Sequence, residues 1–386
     1  MSDDIALGQP TVGAPELAAI AEVFTSGWLA GAGPTCRRFE QAFAEAVGTR
    51  YALATANCGS ALHLALLTLG VQPGDEVVVA DYTFPATGHA VRWTGATPVF
   101  ADVRPDTATV DPAAVEAAIT PRTVGVIAVD VAGLPADYDE LRAIADRHGL
   151  FLVEDAACAA GATYRGRPAG SLADVATFSF HGRKGITAGE GGAFVTDRDD
   201  LAAHARKLHS YGVEGALTRA ALTTLPIPAF DELGYNYRLS DVAAAIMIAQ
   251  LARLPDLLAT RRRIADRYAD LLKDCDCVEV PTVPEDRTHP WQAYVVTLAR
   301  GVDRGEVATR LRERGVQCSF GTYASHLQPV YGPTAPCPVS ADLFDRHLAV
   351  PMHANLTDAQ VDTVASTLRE VVAAVATRPT ARSQGS

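Results

Sequence analysis

No run of eighteen apolar residues occurs in this 386-residue chain, so no segment reads as a membrane-spanning helix. The opening residues, Met1-Ser2-Asp3-Asp4, are acidic and lack the basic-then-apolar layout of a secretory signal. Cysteine is sparse, with seven scattered copies and no framework spacing, which suits a reducing cytoplasm rather than a disulfide-stapled domain. Cys275 and Cys277 form a C-x-C without a second pair, and the ten histidines form no H-E-x-x-H set, so no metal is expected. Positive charge is in deficit: 33 Lys and Arg against 45 Asp and Glu leave a net charge of −12. That balance argues against a nucleic-acid or anionic-membrane surface, while leaving room for a local basic pocket that binds a phosphate. The largest basic cluster, Arg261-Arg262-Arg263, falls in a helical pattern and reads as a solvated face. Internal repeats and low-complexity stretches are also missing.

What is present is the composition of a globular protein, 48% hydrophobic and 20% charged, long enough for a large core and two domains. An N-terminal arm leads to a first helix, with Pro15 opening 16–25 and Gly27 closing it. Helical and strand patterns then alternate. Strands are expected near 51–53, 76–79, 97–100, 124–129 and 150–153. Helices are expected at 39–47, 60–69, 87–93, 112–119 and 137–148. Such alternation implies an α/β fold with a mostly parallel sheet and helices on both faces. Ligands of such sheets collect beyond the carboxyl ends of the strands. The pattern then changes: helices at 240–251 and 257–272 separated by Pro255, a strand at 292–298, and helices at 304–314 and 357–374. We read residues 1–245 as the arm and large domain, 246–377 as a smaller C-terminal α+β domain, and 378–386 as a disordered polar tail.

The most informative residue is Lys184. It lies in a glycine-punctuated connection between two β-prone runs, 175–179 and 192–195. Some thirty residues earlier, the buried-strand pattern Phe151-Leu152-Val153 ends in Glu154-Asp155. A lysine so placed can form a Schiff base, and a carboxylate at a strand end can keep a heterocyclic nitrogen protonated. These are the two groups that pyridoxal phosphate (PLP) chemistry needs most. Most lysines are plain surface residues, but that reading fits poorly between glycines and with no charge run around it.

Other segments are weaker singly. Asn57-Cys58-Gly59-Ser60 opens a helix whose free amides would cradle a phosphate, although Gly-Ser before a helix is usually only a cap. Ser179 could donate its hydroxyl to the same phosphate, or equally could bond backbone within its strand. Phe84 could stack on an aromatic ring or belong to the core. Asn236 precedes a helix for which Ser240 would be a good cap. Gly189-Glu190-Gly191-Gly192 lacks the G-x-G-x-x-G spacing and reads as conformational punctuation.

Taken in order, these segments resemble the DegT/StrS family of PLP-dependent nucleotide-sugar aminotransferases over nearly the whole chain. The resemblance runs through Gly27 to Pro34, Asn57 to Leu62, Asp81 to Thr87 and Glu154-Asp155-Ala156-Ala157-Cys158. It continues in Phe178 to Gly192, Gly234 to Asp241, and Leu348 to His353 with the following Leu356 to Asp362. The resemblance implies a type I aminotransferase fold and a homodimer with shared active sites. It implies Lys184 as the Schiff-base lysine and proton shuttle, and Asp155 as partner of the pyridine nitrogen. Gly59, Ser60 and Ser179 would hold the phosphate, Asn236 would reach the partner subunit's phosphate, and Phe84 would stack on the ring. Glutamate or glutamine would supply nitrogen to a ketone on a sugar, cyclitol or related intermediate. The segments Gly31 to Gly33, Trp291, Tyr323 and His326 would contact substrate. Cys158 stands where the family usually has Gln, and it cannot donate an amide hydrogen bond to the cofactor. Asp130-Val131-Ala132-Gly133 stands where many members carry a histidine. A dehydratase or aromatising synthase on the same fold is the alternative, and a non-catalytic regulator a third; family dehydratases commonly carry histidine at the lysine position, so Lys184 favours amino transfer. Because a free lysine is protonated at neutral pH, desolvation and the nearby cofactor are expected to depress Lys184.

Overall fold

Apolar runs such as Val77-Val78-Val79 and Leu152-Val153 are fully buried, as strands covered on both faces must be. They belong to a seven-stranded sheet in the computed structural model, which describes residues 4–213 and 230–376. Its order is Tyr51–Thr55, Gly192–Thr196, Val175–Ser179, Phe151–Asp155, Thr123–Val129, Glu76–Ala80 and Thr97–Ala101. Gly192–Thr196 pairs antiparallel with both neighbours, and every other pairing is parallel. The exception has a simple cause. The loop carrying Lys184 turns straight back, whereas parallel neighbours need a crossover.

The second sheet is antiparallel, in order Val278–Glu279, Tyr294–Leu298, His347–Val350 and Ser319–Phe320. With helices Leu254–Leu272, Arg304–Glu313 and Asp358–Ala376 it encloses a second apolar cluster around Val296, Leu348, Val364 and Leu368. The chain is therefore an α/β protein with a large mostly parallel sheet and a smaller α+β part, as expected. Ile5 of the N-terminal arm also packs into this second cluster, fixed by bonds from Ile5 N–H to Gly315 O (2.7 Å) and from Gln317 N–H to Ile5 O (3.0 Å). No single helix among the described residues is long and apolar enough to cross a membrane.

Two readings change. Pro255 does not separate the helices; it lies in the first turn of Leu254–Leu272, where its missing N–H costs no bond. Arg261 is not on a solvated face. It is 4% exposed, and its Nη1 donates to Trp291 O at 2.7 Å. The expected tail, 378–386, lies outside the described residues.

Candidate active site

Both β-runs around Lys184 form, paired in antiparallel register with Gly192 opposite Ser179. Gly192 has no room for a side chain, since a Cβ would lie 2.5 Å from the Asn57 carbonyl carbon and 2.6 Å from Cys58 N. This close approach brings the lysine loop onto the start of helix Cys58–Thr68. There Asn57 accepts from Ser60 N–H at 2.8 Å as the cap. The amides of Cys58 and Gly59, in the first turn, have no intrahelical acceptor. On the strand side, Ser179 Oγ accepts from His181 N–H at 3.4 Å, and among the described residues its own O–H has no acceptor.

Asp155 ends its strand with a carboxylate 4% exposed. Thr87 Oγ1 donates to Oδ2 at 2.7 Å and Ala157 N–H donates to Oδ1 at 3.2 Å. Burial nevertheless raises the carboxyl above its ordinary value, against the lowering effects of Thr87, Ala157 N–H and Lys184. Lys184 Nζ donates to Cys158 Sγ at 2.9 Å. Burial disfavours the ammonium at Lys184, but the sulfur of Cys158 and the carboxylate of Asp155 outweigh it, and the amine is held above its ordinary value. Desolvation by the protein alone therefore does not depress Lys184. Cys58 lies in the same group of side chains and adds to the raising of Lys184, while burial pushes its own thiol far up.

These residues face a cavity of about 950 Å³ between the large and small sheets. Gly59, Phe84, Asp155, Cys158, Ser179 and Lys184 line it. Ser60 does not; it is buried with its N–H on the cap. Asn236 does not line it either, and is exposed beside an isolated bridge to Ser210. Phe84 is 59% exposed rather than core, with its ring 6.0 Å from that of Tyr323. Tyr323 lines the cavity. His326 is drawn away from it, its Nδ1 2.7 Å from the buried Asp81 carboxylate. Thr87, Cys58 and His289 also line the cavity and were missed in the sequence. For Thr87 the available signal was its place three residues after Phe84, at the start of helix Ala86–Trp93.

Two more sequence features resolve into structure. Asp130 and Glu154, 1% and 0% exposed, are two carboxyls in hydrogen-bond contact behind Asp155. Glu154 accepts from Gly170 and Leu172 N–H, and Asp130 Oδ1 accepts from Tyr138 O–H at 2.8 Å and Ala136 N–H at 3.1 Å. Asp130 Oδ2 has no donor among the described residues, and burial pushes the acid well up, the direction that a proton shared with Glu154 requires. Asp241 caps a helix far from its own, accepting from Gly33, Thr35 and Cys36 N–H at 3.1, 2.9 and 3.2 Å.

The donor set fits PLP: a buried carboxylate at a strand end, an amine in the same cavity and, among the described residues, two helix-start amides without an intrahelical acceptor and an uncommitted hydroxyl. Fold and site define an aminotransferase that uses pyridoxal phosphate. The chain belongs to the DegT/DnrJ/EryC1/StrS aminotransferase family, whose model matches residues 10–369. It is 36% identical over 373 residues to the spore coat polysaccharide biosynthesis protein SpsC of Bacillus subtilis, covering 94% of this chain and 96% of that protein. Among solved structures it is similar to the aminotransferase TlmJ from Streptoalloteichus hindustanus. There the identity is 36% and the TM-score 0.90, with 96% of this chain and 99% of that one covered. It is similar also to DesI, solved in the presence of its TDP-sugar product. That likeness has 36% identity and a TM-score of 0.87, with 96% and 94% covered.

Proposed function

We propose that this aminotransferase moves nitrogen from glutamate or glutamine to a ketone on a nucleotide-linked sugar, as a cytoplasmic homodimer whose sites are shared between subunits. The observation that carries the reading is the joint placement of Lys184 and Asp155 on one cavity wall, with free helix-start amides beside them. Bound there, pyridoxal phosphate supplies an aldehyde that exchanges with amines and a ring that accepts electrons when a Cα–H bond breaks.

The chain's own residues divide the remaining work. Gly59 N–H, the neighbouring Cys58 N–H and the Ser179 hydroxyl hold the phosphate, with Ser60 stabilising the helix start through its bond to Asn57. Asp155 keeps its charge toward the ring nitrogen, and Thr87 fixes the carboxylate's rotation. Phe84, exposed to the cavity, covers one ring face. As the neutral amine, Lys184 Nζ would take the proton from the donor's Cα and hand it on to the carbon that the cofactor's aldehyde supplies. Cys158 steadies the amine until that moment. The exposed Asn236, outside its own chain's cavity, supports a role toward the partner subunit. Free thiols at all seven cysteines support a reducing compartment. SpsC is a spore coat polysaccharide biosynthesis protein and DesI has a TDP-sugar product, which supports a sugar acceptor.

The test has two stages. PLP-loaded protein reduced with borohydride should carry the label on Lys184; a label on another lysine refutes the site. Protein converted to its pyridoxamine form by glutamate or glutamine is then offered a panel of keto-sugar nucleotides and keto-cyclitols. Return of the PLP spectrum with a sugar nucleotide supports the reading. Return only with cyclitols, or release of water without amino transfer, overturns the acceptor.

A further inference from the structure

His289, Pro290 and Trp291 form a turn with an unusual backbone. Trp291 has φ +54°, a left-handed value that costs energy for a bulky residue and persists only where its surroundings impose it. The surroundings here are explicit. Buried Arg261 bonds Trp291 O at 2.7 Å, and the Trp291 ring packs 5.6 Å from Tyr294 in the core. The strained turn directs Trp291 N–H back to His289 Nδ1 at 2.8 Å. It also stacks the His289 ring flat on the indole, with centroids 4.2 Å apart and planes 8° apart.

These contacts fix both orientation and tautomer. Nδ1 accepts a hydrogen bond, so in the neutral ring the hydrogen is on Nε2. Burial keeps the ring neutral, with its pKa pushed down to about 3. His289 lines the cavity, and its neighbours locate it near the reacting amine. Pro290 packs against Gly133 beside the Cys158 carbonyl, and Cys158 bears Lys184 on its sulfur. Gln292 Nε2 donates to the carbonyl of Arg183, next to Lys184, at 3.1 Å.

We infer that His289 selects and positions the keto acceptor, donating its Nε2–H to an uncharged hydroxyl or carbonyl oxygen of the sugar. The inference rests on the sugar-acceptor reading above. An amino donor arrives with carboxylates, which are best matched by a cation, and Arg183 lines the same cavity. A neutral, rigid N–H donor is matched instead to the uncharged oxygens of a sugar ring.

The experiment uses PLP-loaded dimer and reads the two half-reactions separately. H289F keeps an aromatic ring for Trp291 but has no donor; H289Q keeps an N–H. The acceptor is the keto-sugar nucleotide that wild type aminates best, together with analogues lacking single hydroxyls. For H289F, the acceptor KM should rise about two- to tenfold, the range of one neutral hydrogen bond. Conversion by glutamate or glutamine should hold its rate, and H289Q should recover part of the loss. One deoxy analogue that is poor for wild type should be no poorer for H289F than its parent. If H289F fails to fold, H289Q against the analogues decides, since a kept donor must keep the wild-type preference. Equal losses in both half-reactions, or an unchanged acceptor KM and analogue ranking, overturn the inference. If wild type aminates no sugar nucleotide, the function reading fails first and this inference with it.

Discussion

Thr87→Val tests whether the contact that the structure adds to Asp155 matters. The substitution removes the 2.7 Å donor to a carboxylate that is 4% exposed. It leaves Ala157 N–H as the remaining hydrogen-bond donor among the described residues. A hydrogen bond to a charged group contributes about 1.5–3 kcal/mol, so the Asp155 carboxyl should climb further above its ordinary value. The sign follows from the direction already present. In the folded chain this carboxyl lies above its ordinary value, so its ionised form is penalised by folding. That penalty is absent at low pH and grows as pH rises through the folded-state pKa. Removing Thr87 deepens it. The difference in thermal stability between Thr87→Val and wild type should therefore be largest near pH 8 and shrink toward pH 5, measured on cofactor-free protein. Retention of PLP on dialysis should weaken in parallel, by about tenfold or more on the same energy. Thr87→Ser, which keeps the hydroxyl, should restore both. A stability difference that stays constant with pH would refute the electrostatic part, because lost packing alone does not titrate.

Two further outcomes follow from buried groups and from the exposed Asn236. Asp130→Asn keeps the acceptor for Tyr138 and Ala136 and replaces the shared proton with a permanent N–H toward Glu154. Both acids are raised in the fold, first by burial, so wild type loses stability as pH rises through their folded pKa values. The variant's melting temperature relative to wild type should thus increase from pH 7 to pH 10, and a flat difference would dismiss the shared proton. Mixing Asn236→Ala with Lys184→Ala subunits should regain activity although each parent homodimer is impaired. In the heterodimer one site combines an intact Lys184 with a partner's intact Asn236. No gain, with heterodimers demonstrated by mass, would assign Asn236 to its own chain.

Much of the site was legible because its parts are contiguous in sequence. Lys184, Ser179 and Gly192 occupy one strand–loop–strand unit, and Asp155 closes a buried apolar run. Local patterns report such units well, since side chains at a strand end can face only one crevice. The unread contacts all join distant segments. Thr87 reaches Asp155 across 68 positions, and Arg261 reaches the Trp291 carbonyl across 30. Arg261 was misread for a general reason. A basic triplet on a helix looks solvated unless one knows that a strained carbonyl awaits one of its members. Cys158 was noticed only as the loss of an amide; its sulfur on Lys184 required the fold.

The clearest case of meaning that appears only on folding is the glycine segment after the first helix. Gly31 and Gly33 look like loop punctuation, and Asp241 looks like the first residue of its own helix. In the structure a Cβ on Gly31 would lie 2.5 Å from the Leu239 carbonyl, and Asp241 binds the three amides that start helix Pro34–Val47. Cys36 Sγ adds a bond to Leu239 O at 3.2 Å. The two segments are one clasp, and Asn236 sits just before its end. A buried carboxylate that takes three N–H bonds and a helix N-terminus is held far more firmly than a loop residue. The glycines are therefore required by close approach rather than by turn geometry. The clasp anchors the segment that carries the exposed Asn236, five residues before Asp241.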